Sequence, residues 1–433
     1  MKYIYTTFAL LIFLSACTTT PKKEFVADLK SVDQNISAYV TDVDGDFIGN
    51  EQSYLNSYFK PWEDKQITLS LKSAMWAYRA FNEHNSYGEN LLPRKKAFFT
   101  KMLQRSNFKE FATINQPAIT LKVLNIRAYP TNKPLLLDPK RAGEGFPFDY
   151  LQNSTIAPNK PIMISHYSQD REWAFIEASF AYGWVKTADI ALISKDNIKK
   201  YEETSPAFLL KESLPLYDEN GNFLFRSRIG MLLPFVSENN ETVTLLSVKK
   251  GLNNEALFTQ STLSLEFVHK HILKFNAKNI ITVFNEVSNV KYGWGGIYGD
   301  RDCSSTLRDF FAPFGIWLPR NSYAQSRVGK IISLKGLNDE QKLIKIKREA
   351  IPLETLLYKP GHILLYMGVK NGKVIVFHNT WGIKTKKNAK AGRFLIGRPI
   401  FSTLEVGSNL RYYDSDASLL SHLQSMNILN RLE

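Results

Sequence analysis

The chain has 433 residues, a formal net charge of +14 and two cysteines. Hydrophobic residues make up 44% of it, enough to bury sizeable cores, so general disorder is excluded. Two cysteines cannot form a disulfide framework or a cysteine-rich zinc site. The basic excess favours a polyanionic partner, namely nucleic acid, an anionic membrane or a carboxylate-rich polymer.

The first residues of the chain predict an export signal. Lys2 precedes a mostly apolar stretch over 3–14, which is shorter than the roughly 17 to 25 residues of a membrane-spanning helix. Small residues then lead directly to Cys17, and the string LSAC resembles the lipobox of bacterial lipoproteins. The resemblance implies a signal peptide at 1–16, lipid on Cys17 and, because Thr18 rather than Asp follows, an outer-membrane location facing the periplasm. The alternative is an ordinary secretory signal with a chance cysteine.

The positive charge is concentrated in the last third of the chain. Residues 267–433 contain 25 Lys and Arg against 12 Asp and Glu, a net charge of +13. Residues 1–266 contain 30 against 29, a net charge of +1. Because an exported protein has little access to nucleic acid, we expect the partner to be peptidoglycan carboxylates or lipid phosphates in the cell envelope.

The spacing of apolar and turn residues divides the chain into five parts after the predicted signal. Residues 17–46 predict a tether. Residues 47–118 space their apolar side chains three and four apart, which predicts helices. Residues 119–197 and 198–265 are short aromatic and β-branched segments between turn residues, which predicts two small β-barrels. Residues 266–433 mix helical and alternating patterns and predict an α+β domain.

Within the α+β part, three local predictions matter. The segment 267–287 predicts one or two helices, and another helix begins at Cys303. The segment around Asn371-Gly372 predicts a β-hairpin with a tight turn. His269 and His271 have a His-x-His spacing, but their side chains would diverge on a helix, so neither a metal nor any other cofactor is predicted.

Cys303 has the features of a nucleophile. A sulfur at a helix start lies near unpaired backbone N–H groups, which stabilise thiolate over thiol. A thiol also needs a base, and the sequence predicts that His362 begins a strand and that His378 ends the next one. Regular pairing around the turn would place His362 opposite position 381, so a bulge or a longer turn is needed to bring the two histidines together.

These residues resemble the NlpC/p60 cysteine peptidases of bacterial cell walls. The string LPRNS, at 318–322, follows the nucleophile helix as LPR-x-S does in that family, with Asn321 where Asp is common. The strings YFKPW, RAGEGFPFDYLQNS and YGWV resemble the subgroup with a helical N-terminal piece and two bacterial SH3-like barrels. The family motif is matched at Tyr292, Trp294, Gly295, Gly296, Asp302, Cys303, Ser304, Gly361, His362 and His378.

The resemblance implies a papain-like fold and a peptidoglycan endopeptidase. Its substrates would be stem peptides or muropeptides, cut between γ-D-glutamate and a diamino acid such as meso-diaminopimelate. Cys303 would be the nucleophile, His362 the base and acid, and His378 the residue that orients it. Stems with a free N-terminal L-alanine would be favoured, because the first barrel closes one end of the groove.

The resemblance also implies residues that contact substrate, in a monomer that needs no cofactor. Two different functions remain as alternatives. One is a catalytically silent peptidoglycan-binding lipoprotein, and the other is an acyltransferase on the same fold. The predicted substrate-binding residues are Tyr292, Asp302, Ser304, Ser322, Glu144 and Tyr182.

Overall fold

The structure is a computed structural model that describes residues 24–41, 43 and 49–429. Cys17 and the predicted signal peptide at 1–16 lie outside the described residues. The α-helices of the described part are α1 (Asp28–Ser31), α2 (Glu51–Glu63), α3 (Leu71–Ala74), α4 (Trp76–Ala80), α5 (Lys96–Arg105), α6 (Lys195–Glu203), α7 (Ala277–Ser288), α8 (Cys303–Phe311), α9 (Ser322–Gln325), α10 (Asp339–Glu349) and α11 (Leu419–His422).

Helix α2 connects the N-terminal part to the sheets. It begins after Asn50, whose side chain accepts a hydrogen bond from the amide of the third helical residue at 2.8 Å. Tyr54, Tyr58 and Trp62 are buried and fall four residues apart, so they share one face. The indole N–H of Trp62 donates to the carbonyl of Ala118 at 3.0 Å. This bond joins the helical part to the first strand.

The first sheet has seven antiparallel strands in the order β3-β2-β6-β5-β4-β1-β7. Its core is aliphatic and includes Ile126, Ile164 and Ile176, each with no exposed surface. The strands are β1 (Gln116–Thr120), β2 (Leu124–Arg127), β3 (Gln152–Ile156), β4 (Pro161–Tyr167), β5 (Trp173–Ala178), β6 (Tyr182–Lys186) and β7 (Ile190–Leu192).

The second β unit combines a five-stranded sheet, in the order β13-β12-β11-β8-β14, with the pair β9 and β10. The prediction of helix from residue 267 was wrong at its start, because Val268–Lys270 pairs antiparallel with β8 and extends that sheet. The strands are β8 (Pro206–Leu209), β9 (Pro215–Tyr217), β10 (Phe223–Arg226), β11 (Leu232–Glu238), β12 (Thr242–Lys250), β13 (Ala256–Ser264) and β14 (Val268–Lys270).

The third sheet has six strands in the order β15-β20-β16-β17-β18-β19. Helices α7 and α8 pack on it through apolar residues such as Phe284 and Phe310. The hairpin predicted at Asn371-Gly372 is confirmed, because Lys370 pairs with Lys373 across that turn. The strands are β15 (Lys330–Ser333), β16 (Thr355–Lys359), β17 (His362–Lys370), β18 (Lys373–Lys387), β19 (Lys390–Thr403) and β20 (Ser425–Ile428).

The predicted multidomain layout is therefore confirmed: a helical N-terminal part, two all-β units and an α+β unit follow one another. Across the described ranges, no helix combines the length and apolarity that crossing a membrane requires.

The N-terminal segment folds back onto the α+β unit. The Glu24 carboxylate accepts a hydrogen bond from the Arg411 amide at 2.7 Å. The Asp28 carboxylate accepts from the backbone N–H of Thr403 at 2.6 Å and from its hydroxyl at 2.8 Å. Asp28 is only 7% exposed. These contacts fix residues 24 and 28, inside the predicted tether at 17–46, to the α+β unit.

Candidate active site

Helix α8 places Cys303 at its first turn. The Asp302 side chain accepts from the Ser305 amide, and the Ser305 hydroxyl accepts from the Asp302 amide, which forms a capping box. Leu307 and Phe310 anchor the helix in the core. The capping box therefore fixes the position of the sulfur, which belongs to a side chain only 8% exposed.

A β-bulge brings the two histidines together. The pairing of β17 with β18 shifts by one residue between Tyr366 and Gly368. Continuing the register from Leu365, which pairs with Phe377, places His362 opposite position 380, so His378 is its diagonal neighbour on the same face. The Nε2 of His362 lies 2.8 Å from the Nδ1 of His378. The bulge that the sequence required is present.

The hydrogen-bond chain behind the histidines assigns their protons. The Ser402 hydroxyl donates to the Thr403 carbonyl at 2.9 Å, so its oxygen accepts from the Nε2 of His378 at 3.1 Å. Neutral His378 then has an unprotonated Nδ1, which accepts the Nε2 proton of His362. The Nδ1 of His362 is left with a free lone pair, as a base for a thiol requires.

Burial favours the neutral forms of both Cys303 and His362. Burial raises the pKa of Cys303 from 9.0 to about 12, and the charge of Asp302 adds to this, while the Ile363 and Ser304 amides and the Arg320 charge oppose it. Burial, together with His378 and Lys359, lowers the pKa of His362 well below 6.5. The Ser304 amide at the helix start lowers the pKa of Cys303, as the sequence predicts, but burial raises that pKa more.

Replacing Ser402 by alanine tests the proton assignment. Without the hydroxyl, the buried Nε2 of His378 loses its acceptor and both neutral tautomers of the pair become comparable. We expect kcat to fall roughly fivefold to tenfold, since one net hydrogen bond of about 1 kcal/mol is lost, and KM to stay unchanged. Steady-state kinetics on a cleaved peptide measure both. Ser326→Ala, which removes a local hydroxyl bond to Tyr323, is the control, and an unchanged kcat in Ser402→Ala contradicts the assignment.

Asp302 is already neutralised. Arg320 donates to the two Asp302 oxygens at 3.2 and 2.7 Å and to the Ser304 hydroxyl at 3.0 Å. Burial opposes ionisation, but Arg320 and Ser305 hold the pKa of Asp302 below its ordinary 3.8. The predicted role of Asp302 as partner for an L-alanine ammonium is corrected: its carboxylate supports Arg320 and the helix cap. Arg320 also donates to Ser154 in β3 at 2.6 Å, which ties the nucleophile to the first sheet.

The glycine pair after Trp294 allows this close approach. Gly295 has φ +60°, and a Cβ there would lie 2.4 Å from the carbonyl oxygen of Gln152 in β3. Gly296 has φ +81°, and its Cβ would lie 2.3 Å from the Thr155 hydroxyl. Any residue other than glycine is excluded at both positions, because its Cβ would clash and because the backbone has a positive φ. The two glycines thus keep the first sheet against the active-site loop.

An aromatic cleft runs beside the histidines. Tyr292, Trp294 and Trp381 line it, and Phe148 from the first β unit closes one side. The ring of Trp294 lies 5.3 Å from that of Phe148. Burial raises the pKa of Tyr292 well above 10.0, and the negative charges of Cys303 and Asp302 add to this. Tyr292 is therefore beside the nucleophile, where the sequence placed it.

The other predicted substrate contacts divide into two groups. Glu144 follows Gly143, which lines the cleft, and the charge of Glu144 adds to burial in raising the pKa of Tyr150. Tyr182 lies elsewhere: its ring is 6.4 Å from that of Phe175 and its hydroxyl 3.5 Å from the Ser73 carbonyl. Tyr182 is thus corrected from a wall residue to a packing residue of β6.

Ser322 opens the short helix α9 and is not among the residues that line the aromatic cleft. The cleft is also lined by Lys359 and Arg393, which no sequence motif marks, and by Lys384. Lys384 begins the basic string KTKKNAK at 384–390, for which the sequence favours a solvated loop over a ligand-steering element. Strand register brings all three cations to the cleft. In the ranges 24–41, 43 and 49–429, no group of three His, Cys, Asp or Glu side chains is placed to hold a metal ion.

A thiol at a helix start and an imidazole pair on neighbouring strands, within an α+β unit, define a papain-like cysteine peptidase. Sequence models of protein families match four stretches. These are the "NLPC_P60 stabilising domain, N term" at 4–111, "SH3 domain (SH3b1 type)" at 134–186, "SH3 domain of SH3b2 type" at 194–239 and "NlpC/P60 family" at 289–388. The chain belongs to the NlpC/P60 family, a family of cysteine peptidases.

The chain is similar to solved structures to different degrees. An NlpC/P60 endopeptidase from Photobacterium damselae subsp. piscicida is 24% identical, with a TM-score of 0.79, over 92% of this chain and 98% of that one. An NlpC/P60 family protein from Bacillus cereus is 13% identical, with a TM-score of 0.44, over 72% of this chain and 99% of that one. No curated protein sequence matches the chain significantly.

Proposed function

We propose that the protein is a peptidoglycan endopeptidase that hydrolyses the bond between γ-D-glutamate and a diamino acid in stem peptides. The diamino acid that suits a Gram-negative envelope is meso-diaminopimelate. The observation that carries the proposal is the 2.8 Å contact between His362 Nε2 and His378 Nδ1, on a strand whose Ile363 amide hydrogen-bonds the Cys303 sulfur. Family membership supports the reaction class.

The proposed reaction has two steps and needs no metal or cofactor. The Cys303 sulfur bonds to the γ-carbonyl carbon while its proton passes to Nδ1 of His362. The resulting oxyanion is stabilised by the Cys303 backbone N–H, with Tyr292 beside it. His362 then gives the proton to the leaving amine as the C–N bond breaks. Water attacks the thioester with His362 as base and releases the γ-glutamyl carboxylate and the thiol.

A preference for stems with a free N-terminal L-alanine is part of the proposal. Its support is the wall that the first β unit adds to the cleft through Phe148 and Gly143. Because Asp302 is paired with Arg320, Glu144 is the remaining candidate for the alanine ammonium. The free-stem preference therefore depends on the first β unit more than on the cysteine motif.

Defined muropeptides test the proposal. The stem L-Ala-γ-D-Glu-diaminopimelate-D-Ala and the same stem on N-acetylmuramic acid are incubated with the protein and analysed by mass spectrometry. We expect release of L-Ala-D-Glu, faster from the free stem. Modified but unshortened products would favour acyltransfer, and unchanged peptides would favour the silent binding protein. The presence of Cys303, His362 and His378 argues against a non-catalytic binding protein.

We also propose that the protein acts as a monomer held by lipid on Cys17 in the outer membrane, facing the periplasm. Its support is the LSAC string before residue 18. Labelling with a palmitate analogue is expected for the wild type and not for Cys17→Ala. Light scattering after size exclusion tests the monomer.

A further inference from the structure

Three cations line the cleft beside the imidazole pair. Lys359, Lys384 and Arg393 line it together with His362 and His378, and no Asp or Glu is among the lining residues. A concave site lined by one sign of charge attracts ligands of the opposite sign. The cleft is therefore cationic where the scissile bond must lie.

Strand register places one of these cations opposite the catalytic base and the other two opposite each other. Lys359 of β16 lies directly opposite His362 of β17, so their side chains share a face with Cβ atoms about 5 Å apart. Lys384 of β18 lies directly opposite Arg393 of β19. Like charges in directly opposed positions destabilise a sheet. Lys384 and Arg393 therefore repel each other at this cleft.

No carboxylate relieves that arrangement in the described part of the chain. Neither the Lys359 nor the Lys384 ammonium has an ion-pair partner among residues 24–41, 43 and 49–429. Arg393 donates to the Gly392 carbonyl at 3.1 Å, and Asp414 acts on it only from beyond ion-pair distance. By contrast, the buried cation Arg301 is paired with Asp309.

The environment of Lys359 responds to an anion. Lys359 is largely buried, and burial lowers its pKa, to which Lys384 and Arg393 add, while Cys303 opposes them through its thiolate charge. A ligand carboxylate near the ammonium would replace the lost hydration with a charge-assisted hydrogen bond. The substrate is the only anion that the proposed function brings to this position.

We infer that Lys359, supported by Lys384 and Arg393, binds a free carboxylate of the substrate next to the scissile amide. This inference rests on the proposed function. Two carboxylates of the stem are candidates: the α-carboxylate of the γ-linked glutamyl residue and the carboxylate at the far end of the diaminopimelate side chain, since the other diaminopimelate carboxyl is bonded to D-Ala. Both have the same chemistry, and Lys359 opposite the base lies close enough to the reaction to bind either.

Matched peptides and variants test the inference. The free stem is compared with one carrying a carboxamide on the glutamyl residue and one carrying a carboxamide on the diamino acid. The enzymes are wild type, Lys359→Met and Lys359→Arg, with Lys373→Met, an exposed lysine at the far end of the hairpin, as control. Circular dichroism checks that each variant folds.

For wild type and Lys373→Met we expect one carboxamide to lower kcat/KM by roughly 10- to 100-fold, mainly through KM, the range for a hydrogen bond to a charged group. Lys359→Met should lose that discrimination, and Lys359→Arg should keep most of it. The carboxamide that matters identifies the carboxylate. Equal losses on all three peptides in Lys359→Met, or equal wild-type rates on all three, overturn the inference while the proposed function stands. No cleavage of any peptide by the wild type overturns both.

Discussion

Cys303→Ala is expected to lower the rate of stem-peptide cleavage by at least about 10⁴-fold, because the acyl-enzyme cannot form without the sulfur. A cleft that binds the substrate without a nucleophile should cleave it far more slowly than the wild type does. Cleavage is measured by chromatography of the released dipeptide under conditions where the wild type completes many turnovers. Cleavage at the wild-type rate would remove Cys303 from the reaction and with it the proposed function.

The substitution should leave the fold intact. Cys303 is one small side chain at a helix start, and the capping box that holds the helix uses Asp302 and Ser305 instead. We expect the free energy of unfolding to change by about 1 kcal/mol or less. Cys17→Ala is the matched control, since it removes the only other cysteine and should leave cleavage of a soluble peptide unchanged.

Asp309→Ala is expected to destabilise the α+β unit by about 3 to 5 kcal/mol, because it removes the partner of buried cations. The Asp309 carboxylate accepts from Arg301 at 2.8 Å and from Arg308 at 2.9 Å, and Arg228 of the second β unit lies 3.7 Å away. Arg301 has no exposed surface. Glu212 still pairs with Arg301 at 2.8 Å, so loss of the Asp309 carboxylate leaves three neighbouring cations, Arg228, Arg301 and Arg308, with one carboxylate fewer to compensate them.

Urea denaturation followed by fluorescence at pH 7 measures the effect of Asp309→Ala. Asp64→Ala breaks the exposed pair between Lys60 and Asp64 and should cost under about 1 kcal/mol. The arginines hold the pKa of Asp309 below its ordinary 3.8 despite burial. Its contribution to stability is thus present above pH 3.8 and lost as pH falls further, so wild type and variant should converge in acid. A change under 1 kcal/mol at pH 7 would contradict this account.

Local signals in the sequence were sufficient for much of the fold and part of the site. Periodicity separated the helical part from the β units, Asn371-Gly372 marked the hairpin, and the helix at Cys303 followed from apolar spacing. The segment at 267–287 failed at its start because three residues there complete the edge of a sheet. Pairing with β8 gives residues 268–270 their strand conformation, and local sequence preferences do not reveal that pairing.

The rest of the site depends on contacts between distant segments. The bulge that joins His362 to His378 cannot be located from residue spacing alone. Arg320 was visible in the string LPRNS, but its pairing with Asp302 appears only when the two segments pack. Lys359 carries no motif, and its place opposite the base depends on the register between β16 and β17.

The attachment of Glu24 and Asp28 to the α+β unit limits the reach of the enzyme. Seven residue steps separate Cys17 from Glu24, and a fully extended chain covers at most about 3.6 Å per step, or roughly 25 Å. If Cys17 carries lipid as proposed, this linker holds residue 24 within that distance of the membrane. The catalytic unit then works next to the membrane surface rather than across the periplasm. Its substrate must then come to the membrane, as a shed stem peptide or as the nearest layer of the wall.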